Sequence, residues 1–140
     1  MALFEHLLVP VASDSDAEST CAALQPYLDS VEHITAIHVI EKGGGSIDKA
    51  PLEKRTEDGE RILAAVESRL GESVSVDSTI AYGTDLVETV FDAAVKADAD
   101  AVAFRARGGS RITRLLAGDT TSKLVTDPVV PVVSLPAQRA

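Results

Sequence analysis

The sequence predicts an α/β domain of the doubly wound kind, with a five-stranded parallel sheet and helices on both faces. Three observations carry that expectation. Short β-branched apolar runs alternate with segments whose apolar residues recur at helical spacing. The runs HLLVPVA and DAVAF are almost continuously apolar, as strands buried on both faces of a parallel sheet are. The 140 residues carry no internal repeat or compositional break, so residues 1–140 read as one domain.

The elements follow in order. His6 to Ala12 is the first strand, interrupted by a Ser/Asp cluster. Ser15 with Glu18 has capping-box spacing and opens a helix that runs to about Tyr27, with Pro26 kinking or ending it. Val31 to Ile40 is β-branched and forms the second strand, and Gly43-Gly44-Gly45 marks the loop after it. Pro51 suits the first turn of a second helix, whose Ile62, Leu63, Val66 and Leu70 share one stripe and which Gly71 ends. Val74 to Tyr82 alternates as a third strand closed by Gly83. Asp85 and Glu88 cap a third helix whose apolar face is Leu86, Val87, Val90, Phe91 and Ala94. Asp100 to Phe104 is the fourth strand, Asp119 to Val125 a short last helix, and Val129 to Leu135 the final strand.

Composition narrows the function. With 45% hydrophobic and 25% charged residues the chain has the makings of an ordinary globular domain. A net charge of −9 and the lack of an aromatic platform argue against nucleic-acid binding, which needs clustered cations. No apolar run approaches the roughly eighteen residues that cross a bilayer, and the N-terminus lacks the pattern of a secretory leader, so no membrane association is expected. The single Cys21 cannot form an internal disulfide, which fits a cytoplasmic location.

If the strands of such a sheet take the order 3-2-1-4-5, the ligand crevice lies at the carboxyl ends of strands one and four. The loop after strand four is the informative one. Four of the chain's eight arginines, Arg105, Arg107, Arg111 and Arg114, fall within ten positions that hold no acid. Glycines there let a backbone approach a phosphate, and the following helix start offers free N–H groups. Such a loop serves equally as solvated charge on an acidic surface, and spacing alone leaves both readings open.

The pattern LLVPVASD, AIHVI, DAVAFRARGG, RLLAGDTTSKLV and DPVVPVVSL resembles the universal stress protein family in order and spacing, over nearly the whole chain. The resemblance implies an adenine nucleotide alpha hydrolase-like fold. It also implies a crevice drawn from Pro10, Val11, Ala12, Val39, Gly83, Arg105, Arg107, Gly108, Gly118, Asp119 and Thr120. ATP-binding members carry Gly, two residues, Gly, nine residues, then Gly followed by Ser or Thr. Here Gly108 and Gly118 keep the second and third glycines, but Arg105 stands for the first and Asp119 for the Ser/Thr. Ala12 stands where those members place an Asp toward the base, and Asp14 where they have a Ser. Arg105 either fills phosphate space or grips a phosphate, Asp119 brings a carboxylate to a helix N-terminus, and Ala12 removes a partner for the base. The expectation is a binding or regulatory module with a degenerate ATP motif, no tight ATP binding and no catalytic turnover. The alternatives are an adenine-nucleotide sensor using residues 105–118 and, more remotely, a slow ATPase.

Other residues read as structural. His38 packs in its strand, His6 and His33 lack partners at metal-binding spacing, and Cys21 is a small buried apolar group. Ser13 and Ser110 have no paired His and acid, and Asp14 and Asp16 suit a first helical turn. In the family the final strand pairs across a two-fold axis, so a homodimer through Val129–Leu135 is expected, which would also cover an apolar edge.

Overall fold

In the computed structural model, which describes residues 4–41, 52–105 and 123–136, the sheet has the expected order. Its strands are β1 (His6–Pro10), β2 (His33–Glu41), β3 (Ser75–Gly83), β4 (Ala101–Phe104) and β5 (Val132–Ser134), in the order β3-β2-β1-β4-β5. Every pairing is parallel, with Leu8 of β1 beside Thr35 of β2 on one side and Val102 of β4 on the other. The helices are α1 (Asp14–Leu24), α2 (Leu52–Leu70) and α3 (Leu86–Ala97), and residues 123–126 form a further helical turn.

Strand alternation sends β1 side chains into two separate cores. Leu7, Val9 and Val11 meet Cys21 and Leu24 of α1 and Ile62, Val66 and Leu70 of α2. Leu8 meets Ile37, Val102 and Phe104 beside Val90, Phe91 and Ala94 of α3, with Leu124 from the last helical turn. Complete burial of a side chain such as Leu8 contributes about 2 kcal/mol, which is why the apolar runs at β1 and β4 mark the centre of the sheet. β3 is an outer strand. Its Ser75, Asp77 and Thr79 are exposed in alternation with the half-buried Val76, Ser78 and Ile80, so a charged residue stands on the open edge.

Several boundaries differ from the sequence expectation. The cap of α1 is Ser13 and not Ser15: its hydroxyl accepts from the Asp16 N–H at 3.0 Å. The chain leaves β1 at Pro10, two residues before the expected Ala12, which frees Ser13 for that role. Pro26 marks the change of helix type, as its kinking or ending role predicts. The α-helix stops at Leu24 and continues as a 3-10 segment, Gln25–Ser30, whose tighter bonding starts with the proline in its first turn, where no N–H is required. β5 spans three residues rather than the whole of Val129–Leu135, because Pro131 at its entry has no N–H for a ladder. The expected helix from Asp119 lies partly outside the described residues. Among the described residues no helix is long and apolar enough to cross a membrane.

Candidate functional site

The carboxyl end of β1 is built by short-range contacts. The Val11 N–H donates to the Ile37 carbonyl at 2.9 Å, extending the β1–β2 alignment one residue beyond the strand. The chain then turns into α1, and the Ala12 N–H donates to Asp16 Oδ2 at 2.8 Å. Ser13 caps Asp16 in return, so this turn and the helix start are closed by the chain's own side chains. Asp14 and Asp16 also place two carboxylates in the first turn of α1, where the helix dipole favours negative charge. A ligand phosphate at this terminus would meet acids.

His38, Val39 and Ile40 form the adjoining wall, at the end of β2. The His38 Nδ1 lies 2.9 Å from the Val11 carbonyl, so that nitrogen carries a proton and donates to it. The ring lies flush against α2 at Gly59, where an added Cβ would come within 2.7 Å of the ring carbon Cδ2. A glycine in mid-helix costs about 1 kcal/mol relative to alanine, and here it admits the imidazole. This gives His38 the structural role read from its strand position.

Between these walls and α2 lies a cleft of about 290 Å³, lined by Ala12, Val39 and His38 together with Arg55, Asp58 and Arg61. Arg61 bridges the helices, with Asp14 at 3.1 Å and Asp58 at 2.8 Å. Its hydrogen bond holds the Asp58 carboxyl below the usual carboxylate range, with the Lys54 ammonium helping, so both members stay ionised. Arg55 donates to the Glu41 carbonyl at 2.6 Å, at the last residue of β2. The α2 arginines were not marked by sequence spacing. Arg55 lies one turn before Gly59, whereas Arg61, two residues after it, shares no face with that glycine.

Of the residues read from sequence, Ala12 and Val39 come together in this cleft, with Pro10 at the end of β1 and Val11 just before Ala12. Gly83 ends the edge strand and does not line the cleft; a Cβ there would collide with the Thr89 hydroxyl, so glycine serves close packing of β3 on α3. Arg105 follows β4, the neighbour of β1, and is half-buried. Arg107, Gly108, Gly118, Asp119 and Thr120 lie outside the described residues. Cys21 is buried against α2, and burial pushes its thiol up to about 11, which keeps it protonated and unreactive at neutral pH. Among the described residues no group of His, Cys, Asp or Glu could hold a metal ion.

A parallel sheet that reverses its winding between β1 and β4 defines a doubly wound α/β fold, in which a ligand crevice is expected outside those two strand ends. The model of the universal stress protein family matches residues 3–136, and the chain belongs to that family. No curated protein matches the chain. Among solved structures it is similar to the universal stress protein UspA from Lactobacillus plantarum, at 20% identity and a TM-score of 0.66, covering 97% of this chain and 100% of that one. It is similar to the Archaeoglobus fulgidus universal stress protein in complex with dAMP, at 16% identity and 0.66, covering 96% and 99%. A universal stress protein in complex with cAMP is 14% identical with a TM-score of 0.69, covering 98% and 100%.

Proposed function

We propose that this chain is a cytoplasmic, homodimeric stress-response module that works by binding and regulation without catalytic turnover, and that its crevice does not hold ATP tightly. One observation carries the reading: the Ala12 N–H is taken by Asp16, and the acids of the α1 first turn stand where a nucleotide would approach. The resemblance adds Ala12 for the base-contacting Asp, Arg105 for a glycine and Asp119 for the Ser/Thr. An adenine-nucleotide sensor is the second reading. The similar structures with dAMP and cAMP favour it, as does the half-buried Arg105 directly after β4. The homodimer is proposed through the segment Val129–Leu135, where β5 ends the sheet.

Calorimetric titration with Mg-ATP, AMP and cAMP, run beside Ala12→Asp/Arg105→Gly/Asp119→Ser, decides between the readings. The expected result is no heat with the wild type and binding with the triple variant. Micromolar binding by the wild type would overturn the first reading and make Arg105 a phosphate ligand. Light scattering on a size-exclusion column tests assembly: the dimer mass is expected, and Val132→Lys should reduce it to the monomer.

A further inference from the structure

The amino end of the sheet gathers titratable groups that the proposed function does not use. His6 on β1 and His33 on β2 are register partners, and their rings meet edge to face with centroids 4.6 Å apart. One His6 nitrogen, Nε2, lies 2.7 Å from the Thr35 hydroxyl, and the Asp98 backbone on the other side favours the charged ring. In the tautomer whose hydrogen sits on Nδ1, the neutral ring accepts the Thr35 hydroxyl proton at Nε2. His33 is held in turn by Asp77 Oδ2 at 2.9 Å and by the Ser75 hydroxyl at 3.1 Å, both on β3.

The corner between α3 and β4 closes on the same spot. The Asp100 carboxylate accepts from the N–H groups of Glu5 and His6, each at 2.9 Å, and the Asp100 N–H donates to the His6 carbonyl at 2.8 Å. Asp92 and Lys96 of α3 face the groove that His6, His33 and Asp77 line. Four parts of the fold therefore meet at two imidazoles.

We propose that the His6–His33 pair is a proton-operated latch, closed while His6 is neutral and loosened when acidification charges it. Charging His6 puts a hydrogen on Nε2, so the Thr35 hydroxyl must turn and find another acceptor although Thr35 is only 8% exposed. The new cation also faces His33 at ring contact, where Asp77 holds that ring in place. Asp98 and Asp100 pull the other way, favouring the charged ring. Burial, and then His33, outweigh them, so the His6 pKa lies below the ordinary 6.5. An imidazole with a depressed folded value binds its proton more readily when the structure opens. The closed state is therefore fully favoured above 6.5 and loses ground as pH falls below it. β1 and β4, whose far ends frame the crevice, both begin at this latch, so loosening acts at the root of both strands. The latch rests on this cluster alone and stands whether or not the crevice binds a nucleotide.

The full chain has three histidines, so NMR of the rings can follow His6 directly through a pH titration. Amide hydrogen exchange, corrected for intrinsic rates, reads the latch through Ala101 and Val102 relative to Ile34 and Ala36. In the wild type, relative protection at Ala101 and Val102 should fall about tenfold on going from about pH 7.5 to about pH 5.5. His6→Gln should abolish that fall, and His33→Gln should move the His6 midpoint upward and shrink it. A protection ratio flat with pH in the wild type, or a fall that survives in His6→Gln, overturns the proposal. Should His6→Gln fail to fold, the wild-type profile and the direction of the shift in His33→Gln decide.

Discussion

At the carboxyl end of β1 the Ala12 N–H is met by Asp16, four residues on, whereas at the amino end the Glu5 and His6 N–H groups are met by Asp100, 95 and 94 residues away. Both ends satisfy backbone donors that no strand neighbour reaches, and both use an aspartate. The carboxyl turn is a local motif that α1 would carry wherever it stood. The amino end exists only once β1, β2, β3 and the α3–β4 corner have assembled. A change at the first should act on one helix start. The same change at the second should act on the whole sheet.

The largest effect is therefore expected at the amino end. Asp100→Ala removes one carboxylate that accepts from two N–H groups, and should cost about 2 kcal/mol, read as a shift in urea midpoint. A cost under about 0.5 kcal/mol, the level of an ordinary surface change, would break the contrast between the two ends. Next comes Gly59→Ala, beside the carboxyl end. The new methyl overlaps the His38 ring, which the Val11 carbonyl holds in place. Overpacking costs about 1–3 kcal/mol and the gain in helix propensity returns about 1, so a net loss of about 1 kcal/mol is expected. Thermal melting checks it, and a rise in Tm would mean that the ring yields. Asp16→Ala should cost about 1 kcal/mol, the usual loss of a first-turn contact, and leave exchange protection in β2 and β4 unchanged.

The same contrast explains what could be read from the chain. The alternation of strands and helices, the apolar faces that become the two cores and the Asp85 cap of α3 come from patterns within a dozen residues, and these are present. The Ser15 assignment missed by two because Ser13, Asp14, Ser15 and Asp16 all suit a cap, and only the exit of the chain from β1 selects among them. Of the crevice, Ala12 and Val39 were legible from a family resemblance, but Arg55 and Arg61 reach the cleft from a helix with its own amphipathic logic. His6 and His33 lacked partners at metal spacing, and none of that spacing matters for a cluster assembled from positions 6, 33, 77 and 98. Register decides it: a strand slip of one residue would turn His33 to the other face and replace it with a neighbour.

The smallest effect is the most discriminating, because one substitution should change sign of consequence with pH. Asp98 ends α3 in the left-handed region, φ 59°, a conformation that glycine adopts without the steric cost borne by a side chain. Asp98→Gly should then stabilise the protein by about 0.5 kcal/mol at a pH above the histidine range, where His6 is neutral and the lost carboxylate has no cation to meet. Below 6.5 the account reverses. The Asp98 charge is one of the groups that raise the His6 value, so its removal lets burial and His33 depress that value further. A wider gap between the folded and the ordinary value means more stability lost on acidification. Urea titrations of both proteins across this range should show Asp98→Gly above the wild type at the alkaline end, with the two curves converging or crossing as pH falls. Parallel curves would separate the backbone strain at Asp98 from the His6 ring, and would leave the amino end a structural knot without a proton switch.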